Sequence, residues 1–236
     1  AGAAIQQFTA VLTRFRLPTA RPSPERDEWG RLLAVPPHTG FRSKMARPTK
    51  PALVEAIAPE KDPIALSAIV TGTFFAIAAY GLLSPSSLYF DETHYIPAAR
   101  SLLQLVAANQ EHPLLAKAIM AASISLFGDQ AVAWRLPSLL AGTLGLFAFG
   151  RLVWWTSRRR FATIAALILL GTNFLWFIHS RIAMLDIFAA ALFLIALWQF
   201  AAAIDDETRR RRARLVATGI FLGLSLGAKW SVAPLL

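Results

Sequence analysis

Five stretches of this chain, at about residues 64–83, 132–155, 161–178, 187–204 and from 215 onward, run with almost no charge. Windows of about 17 to 25 apolar residues are long enough to cross ~30 Å of hydrocarbon as helix. A soluble domain of this length would alternate apolar and polar faces instead. In lipid the backbone groups of each segment must bond within that segment, which makes helix the expected conformation. With 56% of residues apolar and only 16% charged, the bilayer is the expected solvent. The predicted fold class is an all-α polytopic membrane protein, with about five transmembrane helices and two surface or interfacial helices in the first outer loop.

Residues 1–62 form a Pro-, Arg- and Lys-rich tail, expected to be mostly disordered and cytoplasmic, with a weak helical pattern over 5–17. It lacks the pattern of a cleavable signal peptide, since its apolar run is short and a long charged segment follows. Residues 63–236 are expected to form a partial transmembrane domain with an outer loop over 85–130. Within that loop, 95–108 and 113–127 each read as a helix with one apolar face, the second opened by Pro113 in its first turn. Both are too short or too polar for a confident span, so they are expected along the membrane surface. The chain begins at Ala1 and stops inside an apolar run at Leu236, so it is expected to be a fragment.

The formal charge of +10 does not point to nucleic acid, because the basic residues fall in blocks between apolar spans. Short loops rich in Lys and Arg stay cytoplasmic. Strict alternation of five spans puts the tail, the Arg158–Arg160 turn and the Arg209–Arg214 turn on that one side. Asp91, Glu92, His94, Arg100, Glu111, His112, Lys117, Asp129, Arg135, Arg181, Asp186 and Lys229 then fall on the opposite side. The expected setting is the bacterial inner membrane, with the site extracytoplasmic. Cysteine is absent, which removes disulfides, thiolate zinc sites and a cysteine nucleophile.

Ionisable groups at membrane depth cost several kcal/mol unless paired or solvated. Arg135, Arg181, Asp186 and Lys229 lie at or inside span ends. Each taken alone is explained by snorkelling or mutual pairing; their convergence on one side favours a site. The adjacent acids Asp91-Glu92 read alone as a solvated turn, and His112 before Pro113 as a turn end. Asp91, Glu92, His94 and His112 could in principle hold a metal, but no helical His spacing supports it, and no metal is expected.

The order of motifs says more than any one of them: Tyr89-Phe90-Asp91-Glu92-Thr93-His94-Tyr95, Glu111-His112-Pro113-Leu114-Leu115-Ala116-Lys117, Trp134-Arg135-Leu136-Pro137-Ser138, Ser180-Arg181 through Asp186, and Gly223 to Lys229-Trp230. Over residues 64–236 this set resembles the protein O-mannosyltransferase family, polytopic GT-C glycosyltransferases that use a polyprenyl-phosphate sugar. Leu114 stands where the family motif usually has a second proline, and the aminoarabinose transferases of lipid A share the Asp-Glu pair. The resemblance implies transfer of mannose from polyprenyl-phosphate mannose to Ser/Thr hydroxyls of extracytoplasmic proteins, reached during translocation, with no further cofactor. It implies Asp91 as catalytic base and Glu92 as the group orienting acceptor or sugar hydroxyls. Arg181 and Lys229 would hold the donor phosphate, helped by Arg135 and His112; Asp186 would fix Arg181, and Lys117 would contact the phosphate or anchor its helix. Transfer of another sugar to lipid A or an envelope glycan, a transporter and an inactive fragment remain the alternatives. A transporter would place its polar groups near mid-membrane, often in repeats, and no repeat is evident here.

Overall fold

The computed structural model describes residues 60–106, 108–205 and 210–235, and every regular element within them is helical. These residues belong to one compact unit, Ile57–Leu236; the tail, with its weak helical pattern over 5–17, lies outside the described residues apart from its last few positions. In chain order the helices are α1 (Ile64–Ala79), α2 (Glu92–Leu103), α3 (Leu115–Phe127), α4 (Ala131–Ser157), α5 (Arg160–Gly171), α6 (Phe174–His179), α7 (Leu185–Ile204) and α8 (Arg210–Ala228), closed by a 3-10 helix, Trp230–Leu235.

Two of these helices, α4 and α7, are long and apolar enough to cross a membrane by length and composition. The α7 sequence is mostly Ala, Leu, Ile and Phe; Ala and Leu are strong helix formers, and 20 residues rise about 30 Å. Its one acid, Asp186, sits in the first turn, where the helix dipole favours negative charge. The apolar residues of α1, α4 and α7 are spread around the whole circumference, as in helices surrounded by apolar matter on all sides. Ile69, Ile77 and Leu144 are accordingly left exposed, as are Leu169 of α5 and Phe174 of α6, an outer surface suited to lipid rather than water.

α4 packs along α7, α8 along α7, and α1 and α5 along α4, while α2 and α3 pair with each other. The α4 contact is close because two positions have no side chain. A Cβ on Gly142 would fall 2.0 Å from Ser180 Oγ, and one on Gly145 would fall 2.9 Å from both Ala191 Cα and Trp176 Cζ2. Small residues of this kind let helix backbones approach where van der Waals packing drives association.

Several boundaries differ from the expected ones. The first span is a 16-residue helix that ends at Ala79 rather than near 83. The third is broken: α5 stops at Gly171, and Asn173 caps α6, its side-chain oxygen accepting from Trp176 N at 3.1 Å. An Asn cap satisfies a helix-start N–H locally, so it starts a new helix rather than continuing the old one. In the outer loop, α2 starts at Glu92, ahead of the expected 95, and ends at Leu103, where Leu105 takes a left-handed conformation (φ 58°). Pro113 lies before the α3 cap residue Leu114 rather than in the first turn.

At the far end of α4 the charged turn is tied down. Arg151 holds Asp62 through two hydrogen bonds, at 2.5 and 2.6 Å, and Arg158, the left-handed cap of α4, pairs with Asp205 and stacks 4.1 Å from the Trp155 ring centroid.

Candidate active site

The site is organised around a buried ion pair. Glu92, in the first turn of α2, is 0% exposed, and Arg135, in the second turn of α4, is 1% exposed. Arg135 Nε donates to Glu92 Oε1 at 2.7 Å and Nη2 donates to Oε2 at 2.8 Å. The remaining guanidinium hydrogens go to backbone oxygens of the loop after α1: Leu82 at 2.9 Å, Pro85 at 2.8 Å and Ser87 at 3.2 Å. All five donors of the guanidinium fork are thereby used. Glu92 in turn accepts from Ala183 N at 3.0 Å and from Tyr89 N at 3.4 Å. Four contacts fill its acceptor sites. A pair this deep recovers its desolvation cost only when every donor and acceptor is matched, as here. Its structural effect is to lock the loop after α1, the start of α2, the start of α4 and the segment before α7 to one point.

Asp91 is the immediate neighbour of this clamp and behaves differently. It occupies the cap position of α2, yet its carboxylate makes no capping bond, and no ion pair or hydrogen bond to it occurs among the described residues. An Asp at this position usually spends its oxygens on the first-turn N–H groups. Phe90, just before it, is held at φ 53°, a conformation costly for a bulky residue and one that clusters where structure is set by function.

One turn along α2, Tyr95 is buried, and its hydroxyl feels three carboxylates. Burial, followed by the charges of Asp91, Asp186 and Glu111, raises its pKa to about 12. Its ring packs edge-on against His112, with centroids 5.9 Å apart. Residues from α2, the loop before α3 and the start of α7 therefore border one space. On that border Asp186 accepts from Lys229 Nζ at 2.7 Å through each oxygen, which joins α7 to the end of α8. The expectation that Asp186 fixes Arg181 is corrected: both Asp186 oxygens accept from Lys229, and residues 181–184, which join the two, are not helical.

Arg181 has no carboxylate partner among the described residues; its guanidinium lies 5.4 Å over the Phe177 ring and beside Gly81. Lys117 is nearly buried, and its ammonium donates to the backbone oxygens of Asn109, at 2.5 Å, and His112, at 2.9 Å, which pins the 109–112 loop. Burial lowers its pKa. Beside Asp186 a cavity of about 470 Å³ is lined by His179, Trp176 and Ser231. Tyr95 and Glu111 lie inside the quoted motifs but carried no assigned role, and His179 stands just before the Ser180-Arg181 motif. Of these, Tyr95 could have been found by its i+4 spacing from Asp91. Among the described residues no three His or acidic side chains are arranged to hold a metal ion.

The sequence profile of the family described as dolichyl-phosphate-mannose-protein mannosyltransferase matches residues 111–236. His112, Lys117, Arg135, Arg181, Asp186 and Lys229 fall inside that match, and Asp91 and Glu92 precede it. The chain is 29% identical over 175 residues to the polyprenol-phosphate-mannose–protein mannosyltransferase of Corynebacterium glutamicum, covering 60% of this chain and 34% of the relative. It is 26% identical over 198 residues to the proteins of the same description from Mycolicibacterium smegmatis, covering 71% and 38%, and Mycobacterium tuberculosis, covering 69% and 38%. The chain thus spans little more than a third of the length of these curated relatives. No solved structure gives a significant match. With its profile match running through the Lys117, Arg135, Arg181 and Lys229 motifs, this chain belongs to the dolichyl-phosphate-mannose-protein mannosyltransferase family.

Proposed function

We propose that the protein transfers mannose from a polyprenyl-phosphate carrier to Ser or Thr hydroxyls of extracytoplasmic proteins, at the outer face of a bacterial membrane. The observation that carries this reading is Asp91: a carboxylate with no partner of its own among the described residues, on a backbone fixed by the neighbouring Glu92–Arg135 clamp. The acceptor oxygen attacks the anomeric carbon, the bond from that carbon to the phosphate oxygen breaks, and the lipid phosphate leaves with the bonding pair. Asp91 takes the hydroxyl proton. A carboxylate is a weak base for an alcohol, so transfer comes late, as the oxygen gains positive character.

The leaving phosphate needs cations already in place. Arg181 supplies a guanidinium whose donors are unspent among the described residues, and Lys229 a second charge held by Asp186. Tyr95, with its pKa raised to about 12, keeps its proton over the working range and remains a hydrogen-bond donor toward the same space. Glu92, Arg135 and Lys117 act as positioning residues in this scheme, because their polar atoms are spent inside the protein. His112 closes the wall behind Tyr95. Five membrane crossings, with α2 and α3 lying on the outer surface, would put these groups at lipid-headgroup level, where the donor phosphate sits.

The test is transfer from defined polyprenyl-phosphate mannose, by the enzyme in native membranes, to a Ser/Thr peptide and in parallel to lipid A and envelope glycan. Transfer to peptide that Asp91→Asn abolishes supports the reading; transfer to the lipid or glycan acceptor alone replaces it. Arg181→Gln should raise the KM for donor by roughly tenfold or more, the scale of a lost charge-assisted hydrogen bond.

A further inference from the structure

The geometry points to a binding site for an anionic phospholipid of the surrounding bilayer at the far end of α4, where two arginine runs from separate turns converge on one tryptophan. This site is independent of the reaction proposed above and lies at the other end of the molecule. Arg135 and Arg158 stand at opposite ends of α4, about 35 Å apart along its axis.

The runs 158–160 and 209–214 belong to different turns, and nothing in the rule that keeps basic turns cytoplasmic requires them to meet. They meet at Trp155. The Arg158 guanidinium lies 4.1 Å from the centroid of that ring and the Arg214 guanidinium 5.4 Å from it. The two cations therefore stand within about 10 Å of each other, close to one Debye length in physiological salt, where their repulsion is only partly screened. Acids at this end offset the charge in part. Arg158 pairs with Asp205 at 2.5 Å and Arg159 with Glu60 at 3.6 Å, while Asp62 is taken by Arg151. Arg160, Arg211 and Arg212 are exposed and have no carboxylate partner among the described residues. Over residues 60–62, 151–160 and 205–214 the sequence carries ten basic residues against five acidic ones, so even complete pairing within these segments leaves a large positive excess.

The apolar residues beside these cations define the other half of the ligand. Phe161 directly follows Arg160 and is 86% exposed, and Leu215 and Val216 directly follow Arg214, Val216 being 62% exposed. Ile204, just before Asp205, is exposed as well. Guanidinium groups bordered within a residue by bare hydrocarbon are complementary to an anionic head carried on an acyl chain. The guanidinium fork matches two phosphate oxygens at once. Both α5 and α8 start at this end without an acid in the first turn, so their dipoles add to the positive field. Free phosphate would meet the cations and leave the apolar border in water. A bilayer phospholipid supplies both halves at the level of the helix ends, where basic pockets take anionic headgroups.

Two measurements test this on the protein reconstituted in bilayers of phosphatidylglycerol and phosphatidylcholine in equal parts. In the first, native mass spectrometry identifies the lipids that stay bound after release into detergent. The parent should retain phosphatidylglycerol in preference to phosphatidylcholine. The triple variant Arg160→Gln, Arg211→Gln, Arg212→Gln, changed only at exposed positions, should lose that preference, at roughly fivefold in affinity per arginine removed. Arg100→Gln, at the other end of α4, should keep it. No preference in the parent, or a preference that the triple variant retains, overturns the site. Millimolar inorganic phosphate should leave the bound lipid in place; displacement would make the ligand a free anion and overturn the lipid assignment. In the second, the parent is irradiated with a phosphatidylglycerol carrying a diazirine near the head of one acyl chain, a readout that needs neither activity nor a variant. Adducts on the peptides holding Phe161 or Val216, absent with the matching phosphatidylcholine probe, support the site; equal labelling by both probes, or adducts confined to other helices, removes it.

Discussion

Asp91 and Glu92 are adjacent and chemically alike, yet they occupy opposite physical situations. Glu92 is fully buried and gives every acceptor site to Arg135, Ala183 and Tyr89, whereas the Asp91 carboxylate is spent on nothing among the described residues. Removing one partner of a buried ion pair strands the other charge, which costs about 3–5 kcal/mol. Glu92→Ala and Arg135→Ala should therefore each lower stability on that scale and lower activity with it, as thermal unfolding of the purified enzyme would show. Asp91→Asn should abolish transfer and leave the unfolding temperature unchanged; a large loss of stability there would mean Asp91 is part of the scaffold. Asp129 gives the pH counterpart. Burial acts to raise its pKa, but hydrogen bonds from Arg100 and Trp134 and the Arg100 charge outweigh it and hold the pKa below the usual 3.8. A carboxyl with a depressed folded pKa adds stability that is complete above the unfolded value and is lost as pH falls from about 4 through the folded one. Asp129→Asn should lower stability at neutral pH and leave it little changed well below about pH 4, which flattens the acid side of a stability-against-pH curve. An unchanged acid limb would mean the Arg100–Asp129 contact is already broken in solution.

At the scale of elements, motif order picked out the candidate residues, while the contacts they make were legible only in part. The apolar windows placed α4 and α7 to within about two residues at each end, because their charges, Arg135, Arg151 and Asp186, are few and stand near the helix ends. The break in the third span was not readable from hydropathy, since Thr172 and Asn173 are polar but uncharged inside an otherwise apolar run. Asp186 was matched to its sequence neighbour Arg181, and its partner is Lys229, 43 residues away, because tertiary packing of α8 on α7 decides the contact. The α4–α7 interface itself depends on Gly145, where a methyl would meet the Ala191 backbone, which cannot rotate aside. Gly145→Ala should cost about 1–3 kcal/mol as overpacking. Gly72 in α1 has nothing among the described residues within 4 Å of its missing Cβ, so Gly72→Ala should stabilise by about 0.5–1 kcal/mol through helix propensity alone. Opposite signs in a parallel denaturation series are the expected outcome; a neutral Gly145→Ala would show that the two helices can slide apart at no cost.

For the whole molecule, the proposed chemistry depends on which face of the membrane the 85–130 segment occupies. α4 supplies a ruler: its 27 residues rise about 40 Å, more than the hydrocarbon thickness, so its two ends must face opposite compartments if it crosses. Gln130 caps one end, and Arg159 lies just past the other, both exposed. The arginines at 158–160 favour the cytoplasm for the second end. The outer loop should then be external throughout, from Ser86 just after α1 to Gln130 just before α4. This chain contains no cysteine, so single substitutions report their own positions. In intact cells a membrane-impermeant maleimide should label Ser86→Cys and Gln130→Cys and spare Arg159→Cys, which should react only after the membrane is opened. The reverse pattern would put Asp91 in the cytosol, away from any acceptor emerging across the membrane. Labelling of all three from one side would mean that α4 lies in the membrane plane, and a site assembled at span ends could not then exist.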